Sequence, residues 1–200
     1  MSALPRLRAE AVTVRRGRRV IVEGLDLDHR PGAVAWLVGE NGSGKSSLLR
    51  VLAGLDAPVA GTVRYGDPPA PAAERSYYHP EMRLPPGTRV VDWQAMVARL
   101  GLPEGETPGL TPPFARPGIR AADLSTGEEK RLILEAVLAN GRDHVFLDEP
   151  FEHLSPEGKE LLGERLGRLA LSCLVVVATN QGIPDGLTGG PVVRLEPGEG

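Results

Sequence analysis

Apolar positions along this chain switch between runs, alternation and helical spacing, and the switches mark its elements. Val34–Val38 and Leu174–Ala178 are continuous apolar runs, and His144–Leu147 is a shorter one. Runs of this length read as strands buried on both faces. Helical spacing appears in four places. Leu48, Leu52 and Leu55, with Val51 beside them, predict a helix over Ser46–Leu55, and Val90, Trp93, Val97 and Leu100 predict one over Val90–Leu100. Ser125 followed by Glu128 is a capping-box pattern that opens a helix over Glu128–Ala139, closed by Asn140-Gly141. Ser155-Pro156 supplies an N-cap and a first-turn proline for a helix to about Ala170, with Leu162, Leu166 and Leu169 on one face. Arg8–Asp28 reads as two strands around an Arg/Gly turn at Arg15–Arg19, and Thr62–Tyr65, Arg75–Tyr78 and Val192–Leu195 read as short strands. Pro31–Gly32, Pro58–Gly61, Pro68–Ala73 and the Pro/Gly-rich Gly101–Pro117 read as turns and irregular loops. Apolar strands alternating with helices predict an α/β fold with a largely parallel sheet.

Composition narrows the partners. A chain of 200 residues is most simply one domain. Its formal net charge of -3 argues against a general nucleic-acid binder. The local cluster Arg15, Arg16, Arg18 and Arg19 reads as a solvated hairpin turn. The single cysteine, Cys173, lies in an apolar run and reads as a small core residue. No run approaches the ~20 apolar residues of a membrane span, and no secretory signal opens the sequence, so a cytoplasmic location is expected, held at the inner face of the membrane by a partner.

Candidate chemistry concentrates in three stretches. Gly39–Ser47 reads GENGSGKSS, which contains G-x-x-x-x-G-K-S between a predicted strand and a predicted helix. That context is what a phosphate-binding loop requires. Glycines let backbone N–H groups turn inward around phosphate oxygens, and the helix N-terminus adds its positive end. Gly39, Glu40, Asn41, Gly42, Ser43, Gly44, Lys45, Ser46 and Ser47 thus form the candidate nucleotide loop, with Lys45 charging the outer phosphates and Ser46 holding Mg²⁺. The second stretch is Asp148-Glu149 at a strand end. Asp148 suits a role on Mg²⁺, and Glu149 can take a proton from attacking water. The third is Leu124–Glu128, a Ser/Gly-bearing helix N-terminus suited to phosphate, which is also ordinary capping.

In this order and spacing, these motifs resemble those of ATP-binding cassette (ABC) ATPases from about Leu7 to Leu195. Gly39–Ser47 matches the Walker A motif, Leu124–Glu128 resembles the LSGGQ signature, His144–Asp148 resembles Walker B, and Glu149 matches the catalytic glutamate. Leu154-Ser155 lies at the D-loop, and Asn180 at the position of the switch histidine. The resemblance implies a P-loop NTPase core, an N-terminal antiparallel β subdomain and a small inserted helical subdomain at about 82–140, within one nucleotide-binding domain spanning 1–200. It implies ATP and Mg²⁺ as cofactors, and a head-to-tail dimer, with itself or with another ABC ATPase. In that dimer Ser125, Gly127 and Glu128 would face the nucleotide of the other subunit. It implies a transmembrane permease as partner, docked near the segment Glu81–Gly118. Tyr77, Tyr78 and Trp93 read either as core or as part of that docking surface.

Several residues depart from the family pattern. Glu81 stands where glutamine is usual and is a candidate metal ligand. Asn180 replaces histidine, and its amide can donate to phosphate but cannot carry charge. Thr126 and Glu128 replace glycine and glutamine, Ser155 replaces an acid, and Arg16 aligns near the usual adenine-stacking aromatic, where a guanidinium plane can stack on a base. These changes predict ATP binding with slowed hydrolysis. Asp148-Glu149-Pro150-Phe151 is locally similar to the ATPases of haem export and cytochrome c maturation. Two alternatives stay open: an ABC protein acting on ribosomes or DNA, since DEPFEHL at Asp148–Leu154 is similar to DEPTNHL there, and a regulatory module that binds ATP with little turnover.

Overall fold

A computed structural model describes residues 5–66, 75–99, 118–139 and 142–196. The readings for Pro68–Ala73, Gly101–Pro117 and Asn140-Gly141 lie outside the described residues, as does Leu100. The strands are β1 (Leu7–Arg16), β2 (Arg19–His29), β3 (Val34–Gly39), β4 (Ala60–Tyr65), β5 (Arg75–Tyr78), β6 (His144–Asp148), β7 (Leu174–Thr179) and β8 (Val192–Leu195). The helices are α1 (Lys45–Leu52), α2 (Val90–Arg99), α3 (Thr126–Leu138) and α4 (Pro156–Ala170). β2, β1 and β4 form an antiparallel sheet, and β5-β6-β7-β3-β8 form a parallel one.

The apolar runs lie in the middle of the parallel sheet, where both faces must be covered. Every residue of β6 and β7 is buried. Val175 and Val177 of β7 face a cluster with Leu132 and Leu134 of α3 and Leu162 and Leu166 of α4. Leu174, Val176 and Ala178 point the other way, into a cluster with Leu48, Leu49 and Leu52 of α1 and Leu7, Ala9 and Val12 of β1. One cluster therefore glues the antiparallel sheet and α1 to the core, and the other glues on α3 and α4. Cys173 is half-buried against the second of these.

Two expectations need correction. The first helix does not reach Leu55. It ends at Leu52, because Gly54 adopts φ +70 and the chain closes in a Schellman motif: Leu55 N–H donates to Arg50 O at 2.9 Å, and Gly54 N–H to Val51 O at 3.0 Å. Leu55 is left 51% exposed. The third helix starts at Thr126 rather than Glu128, since Ser125 is its N-cap. Of the three aromatics, Tyr78 is core, while Tyr77 and Trp93 are half-buried. Tyr78 is 1% exposed, Tyr77 and Trp93 pack against the clusters, and Trp93 Nε1 donates to Leu132 O at 3.1 Å.

Candidate nucleotide site

Strands β6, β7 and β3 are neighbours and point the same way, so their carboxyl ends meet at one edge. In open α/β sheets that edge is where ligands bind. β3 delivers residues 39–45, β6 delivers Asp148 and Glu149, and β7 delivers Thr179 and Asn180.

The loop's shape depends on its glycines. A Cβ on Gly39 would lie 2.3 Å from Leu195 O, and Gly44 has φ +102 with Ile21 of β2 packed where its Cβ would be. Gly44→Ala therefore combines a left-handed backbone with a clash. We expect it to cost about 1–3 kcal/mol of stability, read as a lower urea midpoint, and to weaken ATP binding at least roughly tenfold. Glu40, Asn41 and Gly42 are exposed at the tip, Ser43 and Lys45 are buried, Ser46 is exposed and Ser47 half-buried. The Ser43 hydroxyl has no hydrogen-bond partner among the described residues.

Lys45 already has acceptors. Its Nζ donates to Glu40 O at 3.0 Å and lies 3.1 Å from Glu149 Oε1. Glu149 Oε2 accepts from Asn180 N–H at 3.0 Å, and Asn180 Nδ2 donates to Asn41 Oδ1 at 2.7 Å. The structure thus joins Lys45, Glu149, Asn180 and Asn41 in one continuous network. Burial pushes the Glu149 carboxyl above its usual range, against the Asn180 amide and Lys45, which favour the charged form. Glu149 itself has φ +46, an uncommon conformation for a side-chain-bearing residue, and such outliers cluster at functional sites.

Asp148 is 1% exposed, and neither carboxylate oxygen has a hydrogen-bond partner among the described residues. Burial raises its pKa, while the adjacent Ser46 hydroxyl, His79 and Lys45 oppose the rise. A buried carboxylate beside a serine hydroxyl, with no hydrogen bond of regular geometry among the described residues, fits a divalent cation. No group of three His, Cys, Asp or Glu side chains converges among the described residues, so the remaining ligands would come from phosphate oxygens and water. Glu81 stands apart from this pair. Its side chain is 89% exposed, and its carboxylate faces His79 at 4.0 Å.

The signature segment forms the predicted capping box. Ser125 N–H and Oγ donate to Glu128 Oε2 at 2.8 and 2.7 Å, and Ser125 Oγ accepts from Glu128 N–H at 3.3 Å. Ser125 and Thr126 are exposed, presenting this helix end outward. Ser155 likewise caps α4, accepting from Gly158 N–H at 3.2 Å.

Two contacts were not foreseen from the sequence. Arg19 Nη1 donates to Gly42 O at 2.9 Å, so the arginine-rich hairpin is fastened to the phosphate loop, while Arg16 stays exposed beside it. Lys130 is 5% exposed, donates to Glu149 O at 2.9 Å and stands 5.6 Å from the Tyr78 ring centroid. Burial draws its pKa down to about 8, against the raising pull of Glu152 and Glu149. Period and motif cannot reveal either contact, since both join segments distant in sequence. A groove of about 650 Å³ between α4 and residues 181–187 contains none of Lys45, Asp148 or Glu149.

Comparison with known proteins agrees with this geometry. A family profile described as "ABC transporter" matches residues 22–152. A cytochrome c biogenesis ATP-binding export protein of Novosphingobium aromaticivorans is 37% identical over 174 residues, covering 86% of this chain and 87% of the relative. One from Rhodopseudomonas palustris is 36% identical over 177 residues, covering 82% and 86%. A Nod factor export ATP-binding protein of Paraburkholderia xenovorans is 34% identical over 167 residues, and the match spans 55% of that longer protein. Among solved structures, a putative ABC transporter ATP-binding protein from Pyrococcus furiosus superposes with TM-score 0.79 at 20% identity, covering 95% of this chain and 97% of that one. An ATP-binding cassette solved as a dimer in a post-hydrolysis state with ADP and Pi superposes with TM-score 0.72 at 20% identity, covering 95% of each chain. With its phosphate loop, its strand-end carboxylates and its capped signature helix in place, the chain belongs to the ABC transporter family as an ATP-binding ATPase subunit.

Proposed function

We propose that this chain is a single nucleotide-binding domain, with its helical subdomain at about 82–140, that hydrolyses ATP with Mg²⁺ to drive a separate membrane permease. The observation that carries this reading is the linked set of Lys45, Asp148, Glu149 and Asn180 at one sheet edge. In it, residues 39–47 wrap the phosphates, Ser46 and Asp148 hold Mg²⁺, and Glu149 accepts the proton of the attacking water. Bound Mg²⁺ supplies charge neutralisation on the phosphate oxygens. Lys45 must leave Glu149 for the γ-phosphate, which frees that carboxylate for water. Asn180 donates its amide where a histidine would donate a charged or neutral N–H. Ser125, Gly127 and Glu128 face the nucleotide of a second subunit, which is either another copy or a related ATPase. Arg16 lies beside the base. Glu81, exposed here, joins the metal only if its loop moves inward. The relatives' names supply the export reading, and no helix among the described residues is long and apolar enough to cross a membrane, consistent with a separate permease and with a place at the membrane's inner face.

The test is phosphate release by the purified chain with and without Mg²⁺, beside Asn180→His. Slow, Mg²⁺-dependent turnover that rises at least about threefold in the variant is expected, because a positioned charged donor is worth several-fold or more at such sites. Fast turnover in the unmodified chain would remove the claim that Asn180 slows hydrolysis. No turnover in either, with ATP still bound, would favour a regulatory module.

A further inference from the structure

Glu149 is held at three kinds of point. Its N–H donates to Ala178 O at 2.9 Å, its carboxylate meets Asn180 N–H and Lys45, and its carbonyl accepts from Lys130 Nζ at 2.9 Å. The first two anchors belong to the strand edge and the phosphate loop. The third comes from α3, the helix that begins at the signature. Glu152 N–H also reaches the Glu149 carbonyl, at 3.3 Å, so Lys130 makes the shorter of its two contacts.

Around this contact α3 and the loop after β6 fit as one block. A Cβ on Gly127 would lie 2.9 Å from His153 O, so the first turn of α3 lies close against that loop. Glu129, the neighbour of Lys130, accepts from Leu84 N–H at 2.8 Å, fastening the same turn to the segment after Glu81. Burying an ammonium is unfavourable without a dedicated acceptor, and here the acceptor is the carbonyl of the residue with φ +46. Pro150 follows and restricts the backbone of Glu149, the residue whose carbonyl Lys130 holds.

We propose that Lys130 is a positioning residue for hydrolysis: by gripping the Glu149 carbonyl it sets the catalytic carboxylate and links it to the signature helix. Engagement of Ser125 and Gly127 by a nucleotide on a second subunit is then felt, through one and a half turns of α3, at the glutamate of the same chain. This rests on the reading of Glu149 as the catalytic base.

The test compares Lys130→Met, Lys130→Arg and Glu149→Gln, alone and with Lys130→Met combined with Glu149→Gln. Readouts are kcat and KM for MgATP, the Kd of a fluorescent ATP analogue, and single-turnover rates where steady state is too slow. Lys130→Met should lower kcat roughly 10–100-fold, the scale of a misplaced reacting group, with KM and Kd within about threefold. Lys130→Arg, which keeps a charged donor, should retain at least about a third of kcat, and it serves alone should the methionine variant not fold. In the Glu149→Gln background, Lys130→Met should add no further loss, because residues acting as one unit are not additive. An unchanged kcat in Lys130→Met, an equal loss in Lys130→Arg, or a full further loss in the double variant would overturn the proposal. Unchanged turnover in Glu149→Gln alone would instead overturn the assignment of Glu149.

Discussion

Glu149→Gln should abolish most ATP turnover, by about 10²–10⁴-fold, while ATP binding survives or tightens. The rate loss follows if Glu149 is the base proposed above, whose contribution at comparable sites has that size. The binding result follows from the geometry. Lys45 lies 3.1 Å from Glu149 Oε1, with side chains only 5% and 13% exposed, and this ion pair competes with the γ-phosphate for the lysine. A neutral amide competes less, and the Asn180 N–H to position 149 can still find an oxygen acceptor there. ATP hydrolysis and analogue titration on the same preparation check both halves. A glutamine variant that still turns over at more than a tenth of the original rate would contradict the assignment, and one that loses ATP would make Glu149 a structural support of the loop.

The second large effect is at Asp148, and it has opposite signs on activity and stability. Asp148→Asn should lower Mg²⁺-dependent hydrolysis at least about 10²-fold, since the proposed metal site loses its buried anionic ligand. Without nucleotide, the same change should stabilise the protein. Burial raises the pKa of Asp148 above the ordinary 3.8, against the opposing Ser46 hydroxyl, His79 and Lys45, so its charged form carries a desolvation penalty in the folded protein. A carboxyl with a raised native pKa binds more protons folded than unfolded between the two values. Stability therefore falls as pH rises through that window, and the full penalty is present above it. Replacing the charge with an amide removes that penalty. A gain of about 1–2 kcal/mol is expected at pH 7, a rise in Tm of roughly 2–8 °C for a domain of this size, shrinking as pH falls below the native pKa. Melting curves with and without Mg²⁺-ATP check the prediction, because bound ligand should narrow or invert the difference.

The strand–loop–helix around Gly39–Ser47 was legible from sequence because its signal is local. Gly39–Ser47 needs only its own residues, a strand before it and a helix after it, and all three are present. The strands β3, β6 and β7 were legible for a related reason: a strand buried on both faces announces itself as an apolar run, and His144–Asp148 and Leu174–Thr179 are buried throughout. Boundaries were less legible. The end of α1 is set by one left-handed glycine, and the apolar period through Leu55 outweighed that signal in the reading. Contacts between distant segments were not legible at all. Arg19 was grouped with its exposed neighbours because nothing in RRGRR distinguishes the one side chain that reaches Gly42. Lys130 carries no signal in the sequence, because a lysine on a helix is ordinarily solvated, whereas here it crosses to the residue after β6. Glu81 is the reverse case. Its alignment suggested a metal ligand, but its side chain is turned to solvent near His79.

The order of strands in the parallel sheet has a consequence for how the chain matures. β3, which carries the phosphate loop, pairs with β7 on one side and β8 on the other. Both partners lie more than 130 residues further along, at Leu174–Thr179 and Val192–Leu195. Gly39 approaches the carbonyl of Leu195 so closely that a Cβ there would lie 2.3 Å away. During synthesis, the segment that carries the phosphate-loop motif is therefore made early and completed late. Contacts so far apart in sequence must wait for most loop closure to be paid, and such topologies fold slowly. Until β7 and β8 have been made, a nascent chain carries the whole GENGSGKSS motif without the strands that flank β3 in the fold, and its apolar run Val34–Val38 lacks both of its sheet neighbours.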